Sequence, residues 1–251
     1  MDWTEAGRAY LLDLMVRMAH HSTAIEGNTL TLGDTRSILI NGIVPKATKL
    51  RELWEVLNYK DLVPYLTEHA EDTISLSMIQ DVNGILLQYI DRRGGHFKEA
   101  ENMIIGASFI PTPPSQVPQA LTQWYDNLSY RLAHAASDAE KVEAIMDQHI
   151  HFERIHPFAD GNGRTGRALM IHSCMQQGLA PIVIEKEQRD EYIVLMNRED
   201  TAGLMEMALA LQQKESERMA LFAKSTTDMD DSMFPGGRPE IFNKQKKIKE
   251  D

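Results

Sequence analysis

Apolar residues recur at three- and four-residue spacing along most of this 251-residue chain, and that periodicity limits the fold more than any other feature. Ile79, Val82, Leu86 and Tyr89 form one stripe, and Val142, Ile145, Met146, His149 and Phe152 form another. A helix turns once in about 3.6 residues, so each stripe predicts an amphipathic helix with one buried side. Helix starts carry their own signals. Ser137 with Glu140, and Thr31 with Asp34, each set a side-chain acceptor against the orphan N–H groups of a first turn. Gly42 and Gly178 stand where a helix would stop. The expected class is mostly α.

The exception is the stretch from Arg93 to Pro114. Gly94-Gly95 precede His96-Phe97-Lys98, and Asn102-Met103-Ile104-Ile105-Gly106 leads to Phe109-Ile110-Pro111. Short β-prone pieces punctuated by Gly and Pro predict a small β-hairpin inserted between helices, with an ordinary connecting loop as the plain alternative. The edge of such a hairpin can accept an extended peptide. From Ser225 onward the text turns polar, passes Pro235-Gly236-Gly237 and ends in a lysine-rich run. Residues 1–224 are therefore expected to form one domain, and 225–251 a flexible, solvated tail.

An apolar content of 43% over this length suffices for a sizeable core. The single cysteine, Cys174, excludes an internal disulfide framework and reads as a buried, inert thiol in an apolar helix. A net charge of −11 and a pI near 5.3 argue against a charge-driven grip on nucleic acid. No basic leader opens the chain and no apolar run approaches the ~20 residues needed to cross a bilayer, so no membrane partner and a cytoplasmic setting are expected. His149 and His151 are two apart and project from opposite sides of a helix, which rules out chelation by that pair. His149, Glu153 and His156 share a stripe, but a core role suits them better than a zinc site. The many methionines read as adaptable core filling. Trp3 is equally compatible with packing and with a contact in a homo-oligomer.

Chemistry is concentrated in the run His156-Pro157-Phe158-Ala159-Asp160-Gly161-Asn162-Gly163-Arg164-Thr165-Gly166-Arg167. Pro157 keeps His156 out of helical dihedrals, so the preceding helix should end there and present the imidazole at a loop mouth. Gly161 and Gly163 allow backbone N–H groups close approach to a ligand, and a new helix should begin between Asn162 and Arg164. Amide donors and the positive end of a helix dipole then coincide, an arrangement that suits phosphate. Arg164 and Arg167 offer forked donors on one helix face. Asp160 is a hard oxygen ligand suited to Mg²⁺ held jointly with substrate phosphates. His156 has the side chain best placed to accept a hydroxyl proton near neutrality.

This run matches the pattern His-Pro-Phe-x-Asp/Glu-Gly-Asn-Gly-Arg-x-x-Arg and so resembles the Fic family of protein adenylyltransferases. About nine fixed positions at ~5% each make a chance match on the order of 10⁻¹¹ per start. The resemblance implies ATP as substrate with Mg²⁺, and AMP transfer to a Ser, Thr or Tyr hydroxyl of a target protein. His156 would deprotonate that hydroxyl and Asp160 would hold Mg²⁺. Asn162 with the Gly161 to Gly163 backbone would steady the α-phosphate, Arg164 the β-phosphate and Arg167 the γ-phosphate, as pyrophosphate leaves. It also implies that residues 93–114 form a flap on which the target docks, although Phe97-Lys98 stand where many members have Tyr-Arg. Arg189 and Tyr192 fall where the family often places residues near the adenine. Self-modification is a further expected outcome.

Far upstream, Ser22-Thr23-Ala24-Ile25-Glu26-Gly27-Asn28 fits the family's inhibitory pattern, Ser/Thr-x-x-x-Glu-Gly/Asn. A Glu26 carboxylate forming a forked pair with Arg167 would occupy the cation that the γ-phosphate needs. In some members this glutamate also supports removal of AMP. Two other readings stay open on the sequence: transfer of a different phosphate-containing group such as UMP, since fold does not fix chemistry, and a non-catalytic, antitoxin-like module that retains a nucleotide pocket.

Overall fold

The computed structural model describes residues 7–102 and 109–225. The chain runs α1 (Arg8–Ile25), α2 (Leu32–Arg36), α3 (Leu50–Leu57), α4 (Tyr59–Glu68), α5 (Leu76–Leu87), α6 (Val117–His134), α7 (Asp138–Ile155), α8 (Asn162–Gln176), α9 (Arg189–Arg198) and α10 (Thr201–Ser225). A π-helical turn, Ser37–Asn41, follows α2 and stops at Gly42, which is left-handed with φ 68°. Gly178 does the same after α8, at φ 67°. The caps at Thr31 and Ser137 form as their spacing predicts: each hydroxyl accepts the backbone N–H three residues on.

Helix α7 is the axis of the bundle, packed by α6, α8 and α10, while α5 lies against α8 on the opposite flank. Its buried stripe includes Val142, Ile145, Met146, His149 and Phe152. Trp124 of α6 rests on Phe152, their ring centroids 5.4 Å apart, and its indole N–H donates to the Gln148 carbonyl at 2.6 Å. Helix α8 is enclosed on nearly every side, so its amphipathic stripe is blurred although its sequence is helical. Cys174 is buried there and burial pushes its thiol up to about 12. Among the described residues no helix is long and apolar enough to cross a membrane.

Helix α1 is fastened to α10 by a buried polar knot. Arg17 donates to both carboxylate oxygens of Glu215 at 2.7 and 2.6 Å, and the Tyr10 hydroxyl donates to Glu215 at 2.6 Å. Asp13 takes up Arg17 and Arg218 at 2.7 and 2.6 Å. The far end of α1, where Ser22 and Glu26 lie, is thereby held over the start of α8.

The hairpin expected over residues 93–114 is not seen: among the described residues of that stretch no strand forms. One antiparallel bridge instead joins Phe97 to Phe158. The two rings lie 5.5 Å apart, the Lys98 N–H donates to the Pro157 carbonyl at 2.9 Å, and the Asn102 side-chain amide donates to the Phe158 carbonyl at 2.9 Å. The first limb is thus tied to the 156–158 loop through the Lys98 backbone and the Asn102 side chain. Residues 103–108, Trp3 and the stretch 226–251 lie outside the described residues; α10 itself continues to Ser225, one residue past the expected domain edge.

Candidate functional site

The site assembles where α7 ends, the loop 156–161 turns, and α8 begins. His156 caps α7 in the left-handed region at φ 48° and ψ 60°, a conformation that costs a non-glycine residue about 1 kcal/mol or more. Helix ending at His156 agrees with the effect of Pro157, but the residue turns left-handed where the proline alone would favour an extended backbone. Asn162 stitches the turn closed: its carbonyl oxygen accepts the Phe158 N–H at 2.8 Å and its amide donates to the Phe158 carbonyl at 2.9 Å. Its side chain is therefore committed to the loop. Gly161, at φ 78°, supplies the left-handed N-cap of α8, and no side chain caps that helix. The first N–H groups of α8 are left to a ligand or solvent.

Asn83 of α5 fixes this turn from below. Its amide donates to the Asp160 carbonyl and to the Thr165 hydroxyl, both at 3.1 Å, and its oxygen accepts the Gly95 N–H at 2.9 Å. One fully buried amide thus ties the motif loop, α8 and the 93–102 segment together.

His156 is partly buried, and its Nδ1 lies 3.3 Å from the Glu153 carbonyl oxygen. A carbonyl only accepts, so Nδ1 carries the proton and Nε2 carries the lone pair. Burial pushes the imidazole down to about 4, with the Lys98 charge adding to the effect. His156 is therefore neutral at pH 7 and available as a base. Lys98 is itself buried and lowered by desolvation; its ammonium donates to Asn102 at 2.7 Å.

The two arginines of α8 differ. Arg167 is saturated from α1: Nε donates to the Ser22 hydroxyl at 3.0 Å, and Nη2 donates to the Ser22 carbonyl at 2.9 Å and to Glu26 Oε1 at 2.6 Å. The expected fork on Glu26 is thus divided, because α1 brings Ser22 alongside the Nε edge and leaves Glu26 the tip. Gly163 makes room for the pair: a Cβ there would stand 2.4 Å from Glu26 Oε1 and 3.0 Å from Arg167 Nη1. Burial raises the Glu26 carboxyl, but Arg167 and then Arg164 outweigh it and hold it below the usual carboxylate range.

Arg164 is as buried as Arg167 and far less satisfied. Its nearest carboxylates are Glu55 at 3.5 Å and Asp160 at 3.4 Å, and its Nε and Nη1 have no hydrogen-bond partner. Asp160 is about a third exposed. Its Oδ1 accepts the Gly161 N–H at 2.6 Å and its Oδ2 accepts Arg51 Nη2 at 2.7 Å. Desolvation raises this carboxyl, and Arg164 with Arg51 overcomes it, so Asp160 is ionised near neutrality.

Tyr192 does not stand open to the site. It is 2% exposed and bonded through its hydroxyl to His149 Nε2 at 2.7 Å, behind Arg167. Arg189 instead clasps the end of α1, donating to the Ile25 carbonyl at 2.8 Å. His149 is pushed down to about 3 by burial and by Arg167, so it is a neutral core residue. Among the described residues no group of three or more His, Cys, Asp or Glu converges as a metal site. Beyond the motifs, the site also uses Arg51, Glu55, Asn83, Lys98 and Asn102. Lys98 and Asn102 lie in the stretch singled out as a flap, and the Asn28-to-Glu55 contact, at 3.0 Å, has its cue in the Glu26-Gly27-Asn28 turn; Arg51 and Asn83 have none.

Known proteins are similar to this chain in sequence and fold. Residues 73–174 match the Fic/DOC family model. A protein adenylyltransferase Fic of Aedes aegypti is 30% identical over 183 residues, which is 70% of this chain and 35% of that protein. Protein adenylyltransferase fic-1 of Caenorhabditis briggsae is 27% identical over 92% of this chain and 46% of its own length. The chain thus spans less than half of the curated relatives it matches. Among solved structures, a Fic domain-containing signalling protein from Bacteroides thetaiotaomicron superposes with a TM-score of 0.73 at 21% identity, covering 91% of this chain and 95% of that one. A Fic-1 fragment from C. elegans gives 0.67 at 26% identity, over 88% and 64%. The Bacteroides structure shows the same fold, and by the motif run and the family match the chain carries a Fic/DOC domain over residues 73–174.

Proposed function

We propose that this protein transfers AMP from ATP to a hydroxyl side chain of a protein target, and that Glu26 restrains it. The observation that carries this reading is the contrast at the α8 N-terminus. Arg164 is a buried cation with unmet donors beside free helix N–H groups, which is the environment of an anion site. Arg167, one turn on, has its charge already taken by an internal carboxylate. A triphosphate laid along this turn would meet the free amides of Asn162 and Gly163 at its α-phosphate, Arg164 at its β-phosphate and, once Glu26 yields, Arg167 at its γ-phosphate. The curated relatives named protein adenylyltransferase support the same chemistry.

His156 supplies the base. With the proton on Nδ1, its Nε2 takes the proton of a target hydroxyl; that oxygen forms a bond to the α-phosphorus as the bond to the pyrophosphate oxygen breaks. The acceleration comes from holding the reacting groups in line and from donors aimed at the developing charge. Asp160 fits Mg²⁺: it is an ionised carboxylate, partly open to solvent, with one oxygen held only by the exposed Arg51. When bound there with the nucleotide, Mg²⁺ would neutralise phosphate charge. The target segment is proposed to lie along the 93–102 limb, which passes beside His156 and is braced by Phe97 and Asn102.

The test incubates wild type, Glu26→Gly, and Glu26→Gly with His156→Ala with Mg²⁺ and ATP labelled at the α-phosphate, scoring label on protein, the chain itself included. Glu26→Gly is expected to label strongly, wild type weakly and the double variant not at all. Label from UTP, or from γ-labelled ATP, in place of α-labelled ATP would identify a different transfer. Binding of ATP with no transfer by any variant would leave a nucleotide-sensing module.

A further inference from the structure

Glu153 is the group in this site that the mechanism above leaves idle. It is half-buried between α7 and α8, and its Oε1 is buried with no hydrogen-bond partner. It presses on the residue before Arg167: a Cβ on Gly166 would meet Glu153 Oε1 at 2.4 Å and His149 Cε1 at 3.0 Å. Buried polar atoms nearly always find partners, so an orphaned carboxyl beside a buried guanidinium asks for a reason. The charged and titratable groups around it are Arg167 from α8, Glu26 at the end of α1 and Tyr192 from α9, with His149 of α7 against the same glycine.

Removing Glu26 from Arg167 leaves a buried cation uncompensated, which is strongly unfavourable. Glu153 is a carboxyl close enough to feel the Arg167 charge and can take over. We propose that Glu153 is a positioning residue for Arg167, neutral while Glu26 holds the guanidinium and ionised against it once Glu26 departs, so that the arginine stays buried and aimed at a nucleotide's terminal phosphate. This rests on the nucleotide-transfer reading of the site. The electrostatics agree in sign. Burial pushes Glu153 up to about 8, Arg167 pulls it down, and the Glu26 charge pushes it up again. Withdrawal of Glu26 removes an upward push and leaves the downward pull. The carboxyl proton then passes to solvent, and release of the brake is coupled to loss of one proton. The imidazoles are not alternatives, since His149 and His156 titrate near 3 and 4, and the Tyr192 hydroxyl is raised by burial.

Carbon-13 carboxyl NMR of wild type and Glu26→Gly, with Glu153→Gln to assign the resonance, reads the proposal directly. The Glu153 midpoint is expected near 8 in wild type and lower by about one pH unit or more in Glu26→Gly, the equivalent of about a tenfold shift in proton affinity. An unchanged midpoint overturns the proposal. Kinetics give the second reading: adding Glu153→Gln to Glu26→Gly should raise the KM for ATP by about tenfold with kcat less affected, and flatten the pH profile of transfer. A double variant with the KM and profile of Glu26→Gly also overturns it. Should Glu26→Gly transfer nothing, the transferase reading fails, while the carboxyl titration still decides the role of Glu153.

Discussion

Arg164 and Arg167 stand three residues apart on one helix, are equally buried, and live in different neighbourhoods. Arg167 is met by α1, an element remote in sequence, which supplies three well-formed acceptor contacts from Ser22 and Glu26. Arg164 faces the motif's own loop and α3, where Glu55 and Asp160 stand off at 3.5 and 3.4 Å. The difference teaches how such a site can be switched. On the proposed reading the brake is built from a separate element against a cation the fold already buries, so that its removal leaves the loop and the helix N-terminus in place. The cation left hungry belongs to the binding surface itself.

The sharpest way to break this comparison is to remove one carboxylate from each side. Loss of Glu26, by Glu26→Gly, forfeits a charge-assisted contact of about 1.5–3 kcal/mol and should raise AMP transfer by roughly ten- to a hundredfold while lowering the melting temperature by roughly 3–10 °C. Glu55→Gln should not activate. It weakens the counter-charge of a buried arginine and should lower stability by about 1–3 kcal/mol, read from urea unfolding. Activation by Glu55→Gln, or collapse on loss of Glu26, would mean the two neighbourhoods are one network.

Comparable in size is the prediction for Asn83, which serves both sides from beneath. Asn83→Ala leaves the Gly95 N–H and the Thr165 hydroxyl without their partner, and should destabilise the protein by about 2–4 kcal/mol. Thermal unfolding with and without ATP reads it; unaltered stability would show that the loop is held by Asn162 alone.

How much of this was legible in the chain follows from distance along it. The turn from His156 to Arg167 carries its geometry in contiguous residues: a proline that ends a helix, a glycine for the left-handed cap, an asparagine that closes the loop on itself. Ser22 and Glu26, one helical turn apart, share a face, so their common approach to one partner was readable too. That Ser22 takes the Nε edge was not, because it depends on the angle at which the Arg17–Glu215 knot holds α1. Arg51, Glu55 and Asn83 look like ordinary helix residues, and only the packing of α3 and α5 on α8 brings them in. Tyr192 fell behind Arg167 because its ring fills core beside His149. The strands expected after Gly94 do not form among the described residues; that limb is tied instead to the loop at 157 and 158, through the Lys98 backbone and the Asn102 side chain.

A smaller effect belongs to pH. The folded value of Glu153, about 8, lies above the ordinary 4.5, so the folded chain holds this proton more tightly than the unfolded one. Its contribution to stability is full below the unfolded value and is lost as pH rises through the window from about 4.5 to 8. Glu153→Gln should therefore gain on wild type as pH rises through that window, read from urea unfolding at its two ends. A gain that is the same at both ends would assign it to packing.

The smallest effect tests the Arg164 side most finely. Arg51 reaches Asp160 at 2.7 Å and Glu55 at 3.0 Å, with more than half of its side chain in solvent. An exposed pair of this kind contributes under about 1 kcal/mol and is screened by salt, so Arg51→Ala should scarcely move the melting temperature. Its effect should appear in the cation dependence. On the proposed role of Asp160, Mg²⁺ would displace Arg51 from Oδ2, and in Arg51→Ala the Mg²⁺ needed for half-maximal transfer in the Glu26→Gly background should fall by about two- to fivefold, within the ~1 kcal/mol that such a pair supplies. A rise instead would mean that Arg51 leaves the carboxylate to grip the nucleotide. The hungry side of the site would then hold two arginines for phosphate, and the contrast with Arg167 would lie in which cations are kept waiting as well as in which one is restrained.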